Sequence, residues 1–204
     1  MLDRTFKWRS LISASIVFLS GSLLHFVWEW SGQNMVVAIF AATNQSTWEH
    51  LKLAFWPAFA LIPFQRMIYG ACPGWLPAMA IRCVLPSGII ILLFYSYIAV
   101  MGNHHLLADI TLFAVAILAG EGVGHVMLTH HFSAKTRIGS ALALVVATIL
   151  FATLTFRPPH IFLFDEPVHS QSSAVFKCAD RTCQQGFPGL RSGSEGSTRD
   201  SIQA

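Results

Sequence analysis

Charge is scarce in this chain: only 11% of its 204 residues are Asp, Glu, Lys or Arg, where a soluble domain carries about 25%. That shortage excludes an ordinary solvated globular surface. The formal charge of +3 comes from 13 basic and 10 acidic residues with no basic run among them, so no nucleic acid is expected as a partner. No internal repeat is present. Cysteines are few, and Cys72, Cys83, Cys178 and Cys183 make neither a disulfide framework nor a zinc signature. Cys178 and Cys183 are left to pair only if the tail lies on an oxidising side, while Cys83 reads as a small buried hydrophobe. The chain also lacks His-Glu-x-x-His and Gly-x-Ser-x-Gly, two signatures of hydrolytic enzymes.

What the chain does have is apolar residues, 54% of the total, with a mean hydropathy of +0.57. At about 20 residues per crossing, the length accommodates about five helices. The expected fold is all-α, a polytopic transmembrane helix bundle with spans at 11–30, 48–65, 76–101, 106–128 and 138–156. These lie in a membrane domain, 1–168, followed by a polar tail, 169–204, expected to be disordered. The lipid bilayer is therefore the first expected partner. The start, R-T-F-K-W-R and then an apolar run, resembles a signal peptide, but no A-x-A pattern follows and it reads as an uncleaved first span.

Pro57 and Pro63 in the second span, and Pro86-Ser87-Gly88 in the third, are expected to kink or break their helices. The apolar piece 36–42 is too short to cross and is expected at the interface or dipping back into the protein. Arg4, Lys7, Arg9, Arg66, Arg82, Lys135 and Arg137 fall on one side, against Lys52 and Arg157 on the other. The positive-inside rule then places the N-terminus in the cytoplasm and the C-terminus outside a cell membrane. Trp28 and Trp30 suit an aromatic belt at the outer interface.

That topology gathers His25, Glu29, Asn34, Asn44, Glu49, His50, His104, His105, Asp109, His160 and Asp165 on one face. Ionisable groups in membrane segments point to function by default. His25 and Glu29, four apart, share a helix face and suit a metal, a proton relay or a hydrogen bond to each other. The segment Asn44 to Leu53, N-Q-S-T-W-E-H-L-K-L, concentrates the most varied chemistry, and Trp48 joins its polar groups as a candidate for ligand contact. Ser46 and Glu49 fit a capping box at the start of the second span, with Lys52 an ordinary ion-pair partner three residues on. His50 has no such duty and is the better ligand candidate. Asn44-Gln45-Ser46 also matches the glycosylation sequon.

A divalent metal such as zinc is expected to draw on His25, His50, His104 or His105 with Asp109, which are suitable ligand types. Asp109 has the plainer options of capping its helix or pairing with Lys52. In the fourth span, Ala116, Gly120 and Gly124 form a ladder of small residues that lets helices approach closely. Glu121 and His125 lie beside it as a candidate proton relay, or as a hydrogen-bonded pair joining helices. Arg82 is expected to snorkel to the cytoplasmic surface, and His130 and His131 to be solvated.

Two segments together, H-F-x-W-x-W-S-G from His25 to Gly32 and N-x-S-x-W-E-H-L-K-L from Asn44 to Leu53, resemble the signatures of an uncharacterised family of small bacterial integral membrane proteins. Pro158-Pro159 with Leu163-Phe164 resembles that family's C-terminal motif. The similarity covers roughly residues 10 to 167. Gln45 stands where the family typically has an acidic residue, and the tail after Asp165 departs from its short ending. The resemblance implies the architecture and no reaction.

Three function classes fit these residues. The first is binding or transport of a metal ion or small polar ligand at the outer face, favoured by the broken helices. The second is a structural or accessory subunit, a homo-oligomer or one docked on a partner membrane protein. The third is an intramembrane hydrolase in which a histidine-bound metal activates water.

Overall fold

The computed structural model describes residues 4–70, 72–103 and 105–164. Among the described residues the structure is entirely helical: α1 (Arg4–Trp30), α2 (Met35–Ala38), α3 (Thr47–Ala60), α4 (Ile62–Tyr69), α5 (Trp75–Met101), α6 (Leu106–Met127) and α7 (Ala134–Leu154). His104, the tail, and with them Cys178, Cys183 and Asp165, lie outside the described residues.

Four helical stretches, Trp8–Trp30, Trp75–Met101, Leu106–Met127 and Ala134–Leu154, are long and apolar enough to cross a membrane. They coincide with the first, third, fourth and fifth expected spans and mark a multi-pass membrane protein. Their outward faces are greasy: Ile16, Leu19 and Leu23 on α1 and Ile138, Leu142, Val145 and Ile149 on α7 are all exposed. A surface of that kind is stable only against lipid.

The second expected span is delivered as two helices. α3 continues past Pro57 and ends at Leu61, whose N–H still reaches Pro57 O at 3.1 Å. α4 then restarts with Pro63 in its first turn. Proline has no N–H for the carbonyl four residues back and its ring clashes there, but it is tolerated in a first turn. The break therefore falls ahead of Pro63 rather than at Pro57. α5, by contrast, runs unbroken through Pro86, against the expectation of a break at Pro86-Ser87-Gly88. Gly120 on the facing helix leaves room for the Pro86 ring: a Cβ there would come within 2.7 Å of it.

α1 packs on α3 and α6, and α5 packs on α3, α6 and α7. α1, α3, α5 and α6 thus close a ring, with α7 laid against α5. The ring is filled by Val17, Leu51, Ala54, Phe55, Ala116 and Ile117. α3 is the innermost element, with ten of its 14 residues buried. The short piece after α1 dips back as expected: the chain reverses at Gly32 and Gln33, both at positive φ, Asn34 Oδ1 accepts from Val36 N to start α2, and Ala38, Ala41 and Ala42 are buried.

Candidate functional site

Two polar clusters sit at opposite ends of the ring. The first surrounds the start of α3, at the end of the bundle where α1 terminates. Ser46 caps α3 by accepting from Glu49 N at 3.4 Å, which is half of the expected capping box. The other half is replaced: Ser46 N donates to Asn44 Oδ1 at 2.9 Å, and the Glu49 carboxylate turns inward. Its Oε2 accepts from Thr43 N and Thr43 Oγ1 at 2.8 and 3.0 Å and meets Lys52 Nζ at 2.7 Å.

Lys52 is the larger surprise. It is 0% exposed, where the i,i+3 spacing alone suggests an ordinary surface pair. An ammonium group has three protons to place, and each has an acceptor: Glu49, Ala38 O at 2.8 Å and Thr155 Oγ1 at 3.1 Å. Lys52 thereby ties α2 and the end of α7 onto α3. Trp48 completes this clasp. Its ring lies 4.8 Å from both Phe151 and Phe164, and its N–H on the main chain donates to Leu163 O at 3.0 Å. Trp48 and Glu49, expected as ligand contacts, are buried in packing. Leu163 and Phe164, which follow Pro158-Pro159, thus return to the start of α3.

Beside the clasp is a cavity of about 230 Å³, lined by His25, Phe26, Trp28, Glu29, Ala42, Thr43, Asn44 and Gln45. The structure therefore brings His25, Glu29 and Asn44 together, as the sequence reading expects. His50 stands behind them, its ring 5.3 Å from that of His25, with Nδ1 held 2.9 Å from Ser46 O. His25 Nδ1 is buried without a hydrogen-bond partner among the described residues. Asp109 accepts from Tyr97 Oη of α5; Lys52 places its three protons on other acceptors, and among the described residues Asp109 forms no three-ligand group with the two histidines. Among the described residues no group of three or more His, Cys, Asp and Glu side chains is gathered to hold a metal ion.

The second cluster lies about two turns from the opposite end, between α1, α4, α5 and α6. Glu121 Oε1 accepts from Ser13 Oγ at 2.8 Å and Gln65 Nε2 at 3.4 Å, and Gln65 Nε2 also donates to Ser13 Oγ at 2.7 Å. Glu121 Oε2 stands 3.3 Å from Arg82 Nε, and His125 Nδ1 is 2.9 Å from Ser10 Oγ. Arg82 does not snorkel. It is 2% exposed, with its guanidinium over the Tyr69 ring at 5.0 Å. The small-residue ladder explains how it fits: a Cβ on Gly124 would meet Arg82 Cγ at 2.5 Å, so only glycine lets the side chain lie across α6. An intramembrane charge is costly unless paired, and here both signs are present. Sequence reasoning found Glu121 and His125 but missed Ser10, Ser13 and Gln65. The i,i+3 spacing of the two serines on a span was the available signal.

No curated protein and no solved structure matches the chain. A family model described as a family of unknown function, DUF6512, matches residues 1–173, which takes in all the helices among the described residues and both clusters. The chain belongs to that family.

Proposed function

We propose that this protein binds a small polar solute or a metal ion in the cavity beside α1, as a membrane receptor or transporter. The observation that carries the reading is His25: its Nδ1 is buried with no hydrogen-bond partner among the described residues, and the residue lines a cavity together with Glu29 and Asn44. Buried polar atoms are normally satisfied, so a ligand that completes this one gains what folding leaves unmade. The breaks at Leu61 and around α2 add irregular backbone near the ring, a feature that suits ligand passage.

The test is a stability screen of purified, detergent-solubilised protein against small polar solutes and divalent cations, with elemental analysis of the same sample. A stabiliser, or near-stoichiometric zinc, that is lost in His25→Ala and His50→Ala supports the reading. A folded protein that responds to no solute and holds no metal after resupply refutes it.

A docking role is the second reading. Trp30, Met35 and Val36, large apolar residues on either side of the turn after α1, are exposed, which suits a partner membrane protein or a second copy. Co-purification of a stoichiometric partner that is lost in Met35→Asp would favour it. The hydrolase reading has no three-ligand centre among the described residues to support it.

The cavity end is proposed to face outward. With Arg82 and Lys52 buried, the basic residues near span ends reduce to Arg4, Lys7, Arg9, Arg66, Lys135 and Arg137 at the other end, against Arg157. That bias suits a cytoplasmic N-terminus.

A further inference from the structure

We infer that the cavity selects a small organic cation carrying an N–H donor, a primary ammonium group. The inference deepens the binding reading above and rests on it.

Charge sets the class of ligand. Among the eight lining residues, Glu29 is the one with a full charge, and no Lys or Arg is present. Neither ion pair, Glu49–Lys52 or Arg82–Glu121, engages Glu29. Lys52, the cation of the neighbouring clasp, is fully buried with all three protons placed, so it does not offset the field of Glu29 in the cavity. The C-terminal end of α1 reaches the same wall at Trp28 and Glu29 and adds the negative end of a helix dipole. An anion would meet repulsion from both.

Hydrogen bonding narrows the class further. The Glu29 carboxylate accepts hydrogen bonds from any N–H donor. An ammonium with N–H groups meets both the charge and the hydrogen-bonding capacity of Glu29, whereas a quaternary ammonium meets only the charge. The rings of Phe26 and Trp28 in the wall offer π faces to the cation or apolar contact to its alkyl part. Size limits the remainder. A cavity of about 230 Å³ lies below the usual range for drug-sized ligands of about 300–1,000 Å³, so the ligand has few heavy atoms.

The experiment is thermal unfolding of the full chain in detergent, titrated separately with ethylammonium chloride, tetramethylammonium chloride, sodium acetate, glycerol and zinc chloride. Ethylammonium should raise the Tm saturably and more strongly than tetramethylammonium. Its apparent Kd should weaken at least about tenfold in Glu29→Gln, the scale of one charge-assisted hydrogen bond. Glu29 is exposed, so the variant should elute and melt like the parent without ligand. Glu29→Asp, which keeps the charge, should retain part of the affinity. Ethylammonium binding that is unchanged in Glu29→Gln overturns the inference, as does a preference for tetramethylammonium. Saturable stabilisation by acetate, glycerol or zinc that vanishes in His25→Ala overturns the organic-ammonium class while leaving the cavity as a binding site. No response to any of the five overturns both.

Discussion

Replacing Lys52 with methionine tests whether the polar string at the start of α3 is a structural clasp. The substitution keeps the length and apolar stem of the side chain and removes its ammonium. It strands the Glu49 carboxylate, which is 3% exposed, and leaves Ala38 O and Thr155 Oγ1 without their donor. Breaking one half of a buried ion pair costs about 3–5 kcal/mol. For a chain of this length each kcal/mol moves the Tm by roughly 2–4 °C, so Lys52→Met should lower it by roughly 6–20 °C. The paired change, Glu49→Gln with Lys52→Met, removes both charges and keeps an acceptor for the Thr43 donors. It should recover to within about 2 kcal/mol of the parent, a coupling energy of the size seen for groups in direct contact. Unfolding of purified protein in detergent, followed by circular dichroism, measures both variants and Glu49→Gln alone. A Tm loss below about 3 °C for Lys52→Met, or additive single and double changes, would refute the clasp.

The second cluster should behave in the same way: Arg82→Met alone destabilises by about 3–5 kcal/mol, while Arg82→Met with Glu121→Gln restores most of it, measured by the same melts. Gly124→Val drives a side chain into Arg82 and should cost about 1–3 kcal/mol or prevent folding, whereas Gly122→Val, with nothing within 4 Å of its Cβ, should be close to neutral. For orientation, single cysteines introduced at Lys135 and Arg157 in a chain otherwise free of cysteine should differ in intact cells. The site at Arg157 should react with a membrane-impermeant maleimide and that at Lys135 only after permeabilisation. The reverse pattern would invert the topology.

Four of the membrane helices were legible because a span needs only length and low polarity, both of which are written locally. The candidate residues around His25, Glu29 and Asn44 were legible for a similar reason: helix spacing and a common end of the bundle bring them together without knowledge of packing. Pro57, Pro63 and Pro86 show where local reading stops. All three lack an N–H, yet the helix breaks ahead of only one of them, and the surroundings of each ring, such as Gly120 against Pro86, are not written in the local sequence.

The two buried cations mark the same boundary. Sequence alone determined that Lys52 stands three residues from Glu49, and that Arg82 lies in an apolar helix. It did not determine that α2 folds back to offer Ala38 O, that α7 ends with Thr155 above Lys52, or that Gln65 and Ser13 reach Glu121 from two other helices. Those acceptors and donors are 14 to 108 residues away along the chain. A charge in this setting goes wherever its partners are, and only the tertiary structure fixes where that is.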